Sequence, residues 1–574
     1  MGRSRLNEPT QDIIRTRYDQ MFPTLSESEV ARLRGFGEIM RFGSGEALYR
    51  VGEVGPGFAV VLKGVVEVTQ HRERGRPSSI VTHGVGSFMG ELAQLSGRPS
   101  LVDSHAVDDV EALVIPPERL RALLIAEADL GERIMRALIL RRVGLIETGA
   151  GGPVIVGHKE DGDVLRLLGF LRRNGHPYTL LDPAHDEEAG AVIERLELSE
   201  SELPIALCPS GDMLRNPSES ALARCIGLVS AIDPDRIYDV AVIGAGPSGL
   251  AASVYAGSEG LSVLTLDCRA FGGQAGASAR IENFLGFPTG ITGMALMARA
   301  FTQAQKFGVE MAIPDEALRL ECDGEHAPKR LTLANGECVR ARAIVIASGA
   351  RYRQLDIADI EPFEGSSIHY WASPIEGRLC SGQRVALVGG GNSAGQAAVY
   401  LSGQTKHVTL LARRPLRETM SSYLIDRISA APNIDVVTGC EISGIEGHDG
   451  VMEAIRWKAR GSGEEQRLAI RHLFLFIGAD PNTDWLADSG IELDERGFIR
   501  TGEACDTDRF PLETSRRGIF AIGDVRSTSV KRVAAAAGDG ALVVASLHAH
   551  LAKLDSEVSP ERVENPQLEP ATNG

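Results

Sequence analysis

The chain has 574 residues, 24% charged and 43% hydrophobic, which is too long for one core and ordinary for roughly three to four globular domains. Sixty basic against 77 acidic residues leave a formal charge of −17, which argues against a surface built for nucleic-acid phosphates. No stretch approaches the roughly 18 apolar residues of a membrane span. The opening MGRSRLNEPT has no apolar run behind it, so a cytoplasmic protein with neither membrane nor nucleic-acid partners is expected.

Eight cysteines, Cys208, Cys225, Cys268, Cys322, Cys338, Cys380, Cys440 and Cys505, are scattered without a C-x-x-C pair. Zinc and iron–sulfur sites use clustered thiolates, so no metal is expected. In a reducing compartment all eight should be free thiols.

After a flexible tail (1–18), residues 19–148 read as a β-barrel followed by helices. FAVVLKGVVEVTQ alternates about Gly64 and predicts a hairpin. A second β-rich run covers 101–115, and Glu118–Leu124 and Leu130–Ile146 have helical periodicity. GSFMGELAQLSGRPSLVDSHAV resembles the phosphate-binding cassette of cyclic-nucleotide-binding domains. That resemblance gives Gly90, Glu91, Leu92, Arg98 and Ser100 as the nucleotide site, with Glu91 on the ribose hydroxyl and a helix N-terminus toward the phosphate. The family's arginine after the proline is absent: Ser100 and Leu101 follow Pro99, and Arg98 stands before it. One missing charge-assisted contact costs about 1.5–3 kcal/mol, so any cyclic nucleotide is expected to bind weakly.

Gly149, Gly151, Gly152 and Pro153 form a linker. Residues 153–230 then read as βαβαββα: PVIVGH, DVLRLLGFLRRNG, PYTLLD, EEAGAVIERLE, PIALC, MLRN and ESALARCIGL, the last capped from Ser218. This order resembles the thioredoxin/glutaredoxin fold, with Leu203-Pro204 at that family's cis-proline. Its redox loop here is HKEDGD, without cysteine, so a scaffold is expected, with Cys208 a core thiol.

From Tyr238, YDVAVIGAGPSGLAASVYAGSEGLSVLTLD reads as strand, glycine turn, helix and second strand ending in an acid. Gly244 makes the tight turn, Gly246 admits a pyrophosphate, and Gly249 lets helix and strand pack closely. Pro247 and Ser248 open the helix whose N-terminus faces the phosphates, and Asp267 is placed for a ribose diol. The segments that follow resemble the low-molecular-weight thioredoxin reductases: FGGQ (Gly273, Gln274), IENFLGFP (Asn283), ASGA (Ala347, Gly349), FAIGDV (Gly523, Asp524) and KRVAAAAGDG (Arg532, Val533). The resemblance implies that all of these contact FAD.

A second fingerprint, QRVALVGGGNSAGQAAVYL, places Gly389, Gly391, Asn392, Ser393 and Ala394 on another dinucleotide. After the next strand stand Arg413 and Arg414, with Arg417 close by, where an acid would favour NADH. Arginines there suit a 2′-phosphate, so NADPH is expected. The resembling family carries its redox C-x-x-C just before this fold; here Trp371, Ala372, Ser373 and Pro374 take its place.

The fold class expected is therefore multidomain: a cyclic-nucleotide-binding-like β-barrel with helices, a thioredoxin-like α/β unit, and two Rossmann-type domains. The flavin domain is split (236–350 and 472–552) around a nicotinamide domain (351–471), with a flexible tail from 553. The function expected is an NADPH-dependent FAD oxidoreductase resembling thioredoxin-disulfide reductase, passing electrons to an unknown small-molecule or protein acceptor, as a homodimer. A ferredoxin- or flavodoxin-type NADP reductase and a non-turnover redox or ligand sensor are the alternatives.

Overall fold

The computed structural model describes residues 17–558, apart from 71–77, 91–94, 96–97, 149–151, 230–231, 279, 323, 325, 358–359, 364–366, 373, 449–450 and 460–463. Glu91, Leu92, Ser373, most of the glycine linker and most of both predicted tails lie outside them.

The N-terminal domain is two four-stranded sheets facing each other. One orders Glu38–Phe42, Val110–Ile115, Phe58–Lys63 and Phe88–Met89; the other orders Ala47–Tyr49, Asp103–Ala106, Val66–Gln70 and Ser78–His83. The expected hairpin about Gly64 does not form. Phe58–Lys63 pairs with Val110–Ile115 while Val66–Gln70 pairs with Ser78–His83, so the turn at Gly64 (φ +84°) carries the chain between sheets. Four successive buried residues open the strand Phe58–Lys63, the mark of a strand covered on both faces rather than half-exposed. Helices Pro117–Ala126 and Ala128–Thr148 close the barrel with Leu120, Leu123, Leu124, Ile134 and Leu138. Arg141 is buried there: it donates to the carbonyls of Met21 (2.8 Å) and Gly90 (3.1 Å) and lies 4.6 Å above Phe88.

The next unit has one sheet, ordered Thr179–Leu181, Val154–Val156, Ile205–Leu207 and Met213–Arg215, with the first pair parallel and the others antiparallel. Its helices begin where polar caps stand. Asp161 accepts from the amides of Asp163 and Val164 to start Gly162–Arg173, and Ser218 accepts from Ala221 to start Glu219–Cys225. The Leu203–Pro204 bond is cis.

One expectation fails here. Cys208 and Cys225 form a disulfide, with Cα atoms 5.9 Å apart, so Cys208 is not a free core thiol. Cys208 follows the strand Ile205–Leu207 directly and Cys225 ends the helix Glu219–Cys225; the fold brings together residues whose spacing says nothing.

This unit shares its core with the flavin sheet, for Leu222, Ala223 and Ile226 belong to the same apolar cluster as Leu320, Leu331 and Val339. Arg224 fixes the join, reaching Asp315 (3.1 Å) and Glu337 (2.9 Å).

The flavin sheet has seven strands: Glu310–Ala312, Val263–Leu266, Ile237–Ile243, Cys338–Ile346, Lys329–Leu333 and Ala317–Glu321 in order, with Ile519–Ala521 added parallel to Cys338–Ile346. The nicotinamide sheet is all parallel: Ile368–His369, His472–Leu475, Arg384–Val388, His407–Ala412 and Ile434–Thr438. A two-stranded ribbon, Ala350–Tyr352 against Ala479–Pro481, carries both crossings between these units. The last helix, Val533–Val558, extends six residues past the predicted limit at 552. Among the described residues no helix is long and apolar enough to cross a membrane.

The disulfide predicts six titratable thiols per unfolded, unreduced chain and eight after reduction. Replacing Cys208 and Cys225 by alanine should lower unfolding stability of this unit by about 2–4 kcal/mol, the effect of opening so short a loop. Thiol titration and denaturant melts check both numbers.

Candidate dinucleotide sites and the cleft between them

Glycines of the first fingerprint divide into those the protein requires and one it does not. Gly244 has φ +112°, and a Cβ there would overlap the carbonyl of Ala347. A Cβ on Gly249 would overlap the carbonyl of Gly244, because the helix Pro247–Ser258 starts hard against the turn. At Gly246 an added Cβ would meet nothing closer than Gly273 Cα at 3.9 Å. Packing does not demand that glycine, so the space beside it fits a ligand, at the N-terminus of a helix opened by Pro247 and Ser248.

The other predicted flavin segments converge on this turn. Gly272 donates its amide to Ala245 O (2.7 Å), which seats Gly273 on Gly246, and the Gln274 side-chain amide donates to Ala350 O. Ala347 donates to Ile243 O (2.8 Å) and Gly349 has φ +67°. Gly523 (φ +71°) has no room for a Cβ beside Ser248, and its amide donates to Asp539 (3.0 Å). Asp524 is half-buried; burial raises its pKa, with Lys531 opposing. Arg532 is exposed and Val533 starts the last helix. Asn283 is exposed on its loop.

Asp267 is more occupied than expected. Its carboxylate accepts from the amides of Ala245 (2.9 Å), Arg269 (3.0 Å) and Ala270 (3.2 Å). It braces the glycine turn, and burial nevertheless raises its pKa.

The second fingerprint lines a cavity of about 400 Å³ formed by Val388, Gly389, Gly390, Gly391, Arg413, Arg414, Thr419, Phe476 and Ile477. The fold thus brings both predicted arginines to the glycine turn. Gly389 is required by Phe476 and Ala394, whereas a Cβ on Gly391 would meet nothing within 4 Å. Asn392 holds the helix start, accepting from the amide of Ser421 (2.7 Å). Arg417 is exposed on the single turn Leu416–Glu418, outside this lining.

Between the two units lies a cleft of about 280 Å³. Gln274, Tyr352, Trp371, Ala372, Ser393 and Phe476 line it, and Arg427 pairs across it with Glu282. Trp371 is 40% exposed, with its indole N–H donated to Glu376 (3.0 Å). No cysteine is among the lining residues. Cys380 is buried, its thiol pushed up to about 12 by burial and by Glu376, so it is no nucleophile at neutral pH. Tyr352 is likewise pushed up to about 12 by burial and Asp524. Sequence reasoning passed over Tyr352, Phe476 and the Arg427–Glu282 pair; Tyr352 could have been noticed two residues past ASGA.

In the N-terminal cassette, Gly90 has φ +146°. Ser100 closes a local turn: its hydroxyl donates to Val102 O (2.8 Å), and its amide and carbonyl pair with Glu53 and Gly52. Pro99 packs on Gly227 of the following unit. Arg98 stands near buried His176 of that unit, whose imidazole is lowered to about 3 by burial, then by Arg142 and Arg98.

The glycine division makes a testable distinction. Gly246→Val should leave the fold intact but lose at least about tenfold in FAD affinity, whereas Gly249→Val should fail to fold. Circular dichroism and flavin content on the same samples separate the two outcomes.

Comparison with known proteins agrees with this geometry. The family model "Pyridine nucleotide-disulphide oxidoreductase" matches residues 238–540, and "Cyclic nucleotide-binding domain" matches 39–127. The thioredoxin reductase of Mycolicibacterium smegmatis is 31% identical over 320 residues, covering 56% of this chain and 98% of that protein. An alkyl hydroperoxide reductase polypeptide of Escherichia coli is 29% identical over 305 residues, and the match spans 53% of this chain and only 56% of that relative's length. Among solved structures, thioredoxin reductases from Lactococcus lactis (FR conformation) and T. acidophilum each superpose with TM-score 0.51 at 29% identity. They cover 55% and 57% of this chain and 99% and 100% of their own. The cofactors of such an enzyme are FAD and NADPH, and both cradles fit them. The chain belongs to the pyridine nucleotide-disulphide oxidoreductase family, in its thioredoxin reductase-like branch, and carries an N-terminal cyclic-nucleotide-binding domain.

Proposed function

We propose that this protein oxidises NADPH through FAD and delivers the electrons to an acceptor other than a dithiol built into its nicotinamide domain. The observation that carries this reading is the cleft between the two cradles. It is walled by Tyr352, Trp371 and Phe476, with no cysteine among its lining residues. A disulfide relay needs an attacking and a resolving thiolate, and Trp371 and Ala372 stand where the family keeps them.

When bound, NADPH and FAD supply a hydride donor and a hydride acceptor, a transfer that needs no side-chain acid or base. The protein's part is to bind and orient. Gly244, Gly246, Ser248, Gly249, Gly273, Gln274, Ala347, Gly349, Gly523, Asp524, Arg532 and Val533 form the flavin site, with Asn283 at its outer edge. Asp267 acts chiefly by holding the glycine turn in shape. Gly389, Gly391, Asn392, Ser393 and Ala394 form the nicotinamide site. Arg413 and Arg414 take the 2′-phosphate, and Arg417 adds only a distant charge. Tyr352 and Trp371 exclude water from the cleft.

The unit 153–230 is a thioredoxin-like scaffold: its sheet order supports that reading, and its one disulfide lies outside the loop after the first strand. The N-terminal domain, with Ser100 committed to its own turn, binds cyclic nucleotides weakly. The working form is a cytoplasmic homodimer.

Anaerobic flavin reduction, then reoxidation by a panel of quinones, oxygen, ferredoxin-type carriers and disulfides, tests this reading. Fast reoxidation by a non-disulfide acceptor supports it; turnover confined to thioredoxin-type disulfides would overturn it. NADPH should outcompete NADH, and replacing Arg413 and Arg414 together by alanine should narrow that preference by at least about tenfold, within the worth of two charge-assisted contacts at about 1.5–3 kcal/mol each. Single-turnover reduction rates at varied coenzyme concentration measure it.

A further inference from the structure

The nicotinamide sheet assembles a group of side chains that the proposed reaction does not use. His369 ends the edge strand Ile368–His369, and His472 starts the strand His472–Leu475 paired to it. Cys380 directly follows the helix Pro374–Leu379. One ligand atom from each of the three lies within 4.8 Å of the others, and His369 Nε2 is 3.1 Å from His472 Nδ1. His369 and Cys380 are buried; His472 is half-buried and gives a way in from solvent. We propose that His369, His472 and Cys380 form a Zn²⁺ site on the back of the interdomain cleft.

The donor set selects the metal class. Two imidazoles and a thiolate suit a borderline ion such as zinc and not the all-oxygen cages of calcium or magnesium. Zinc–nitrogen and zinc–sulfur bonds of about 2.0–2.1 and 2.3 Å put tetrahedral ligand atoms about 3.3–3.6 Å apart. The imidazole nitrogens of His369 and His472 are already close to that spacing at 3.1 Å, and the Cys380 sulfur lies within 4.8 Å of one nitrogen of each, so closing onto a metal draws the thiol inward. Binding replaces the Cys380 S–H bond by a zinc–sulfur bond and releases one proton to solvent; nothing is oxidised or reduced. Glu376 lies about one turn before Cys380 but outside the group of three ligands, so the fourth position falls to water.

The placement gives the site a consequence. It would tie the strand before Trp371, the helix after it, and the strand leading into the ribbon's second crossing. Glu376 also accepts the Trp371 indole N–H at 3.0 Å. Zinc would therefore fix the segment that stands in the cleft in place of the family's dithiol. The expectation of no metal rests on the lack of clustered cysteines; this site needs one cysteine, and its histidines are 103 residues apart.

The test uses the full-length, FAD-loaded protein after chelator treatment. It is titrated with Zn²⁺ against a chromophoric chelator and, separately, with Co²⁺. One Zn²⁺ per chain at sub-micromolar Kd is expected, and Co²⁺ should produce a near-ultraviolet thiolate-to-metal charge-transfer band. Cys380→Ser should abolish the band and weaken zinc by at least about tenfold, while Cys440→Ser should change neither. If Cys380→Ser loses its flavin and so its fold, His472→Gln carries the affinity comparison with the same expected loss. No stoichiometric zinc in the unaltered protein, no thiolate band with cobalt, or undiminished affinity in the folded ligand variant would overturn the site.

Discussion

Two short strands, Ala350–Tyr352 and Ala479–Pro481, hold the dinucleotide units in one molecule. The nicotinamide domain is inserted into the flavin domain, so every relative movement of the two cradles passes through this ribbon. Ser348 and Asn482 stiffen its flavin end with reciprocal bonds, the Ser348 hydroxyl to Asn482 O (2.9 Å) and the Asn482 amide to Ser348 O (2.8 Å). On the far side of the cleft the units are joined by Arg427 and Glu282, both partly solvated. An ion pair of that kind is worth about 0–1 kcal/mol. It biases one arrangement without locking it, and the ribbon is what carries both chain crossings between the units.

Under the proposed function, what faces the flavin across the cleft decides the chemistry. An aromatic wall of Tyr352, Trp371 and Phe476 faces the cleft, and the one thiol close in sequence, Cys380, is buried and not among the lining residues. Aromatic side chains of this kind can stack on a ring, but they offer no thiol to carry electrons onward. The second unit reinforces the point: its helix Glu219–Cys225, which carries one cysteine of the disulfide, packs Leu222 and Ala223 into a core shared with the flavin sheet, and Arg224 clamps that helix to Asp315 and Glu337. An element so fixed serves as a brace between the N-terminal domain and the flavin domain more readily than as a swinging carrier.

Much of this was legible in the sequence where the chemistry is local. The two glycine turns and the arginines that the fold brings to the second are each written in adjacent residues, because a turn's backbone demands and a helix's caps are met within a few positions. Three things were not legible. Strand pairing at Gly64 depends on which distant strand offers an open edge, so a good turn signal led to the wrong partner. Cys208 and Cys225 meet only once the helix Glu219–Cys225 folds back on its sheet. The triad of His369, His472 and Cys380, like the Arg427–Glu282 pair, is a product of topology across 100 or more residues. Asp267 follows the strand Val263–Leu266 directly, and its oxygens accept from the surrounding backbone amides, which the sequence does not show.

Under the proposed function, the flavin is the only redox centre that NADPH can fill. An anaerobic reductive titration measures it directly, counting electrons taken up per bound FAD to completion. Two electrons per FAD are expected, with the Cys208–Cys225 bond still oxidised when the reduced protein is quenched and its thiols counted. Uptake of four electrons per FAD, with two new thiols appearing, would contradict it and show that a disulfide of this chain is wired to the flavin.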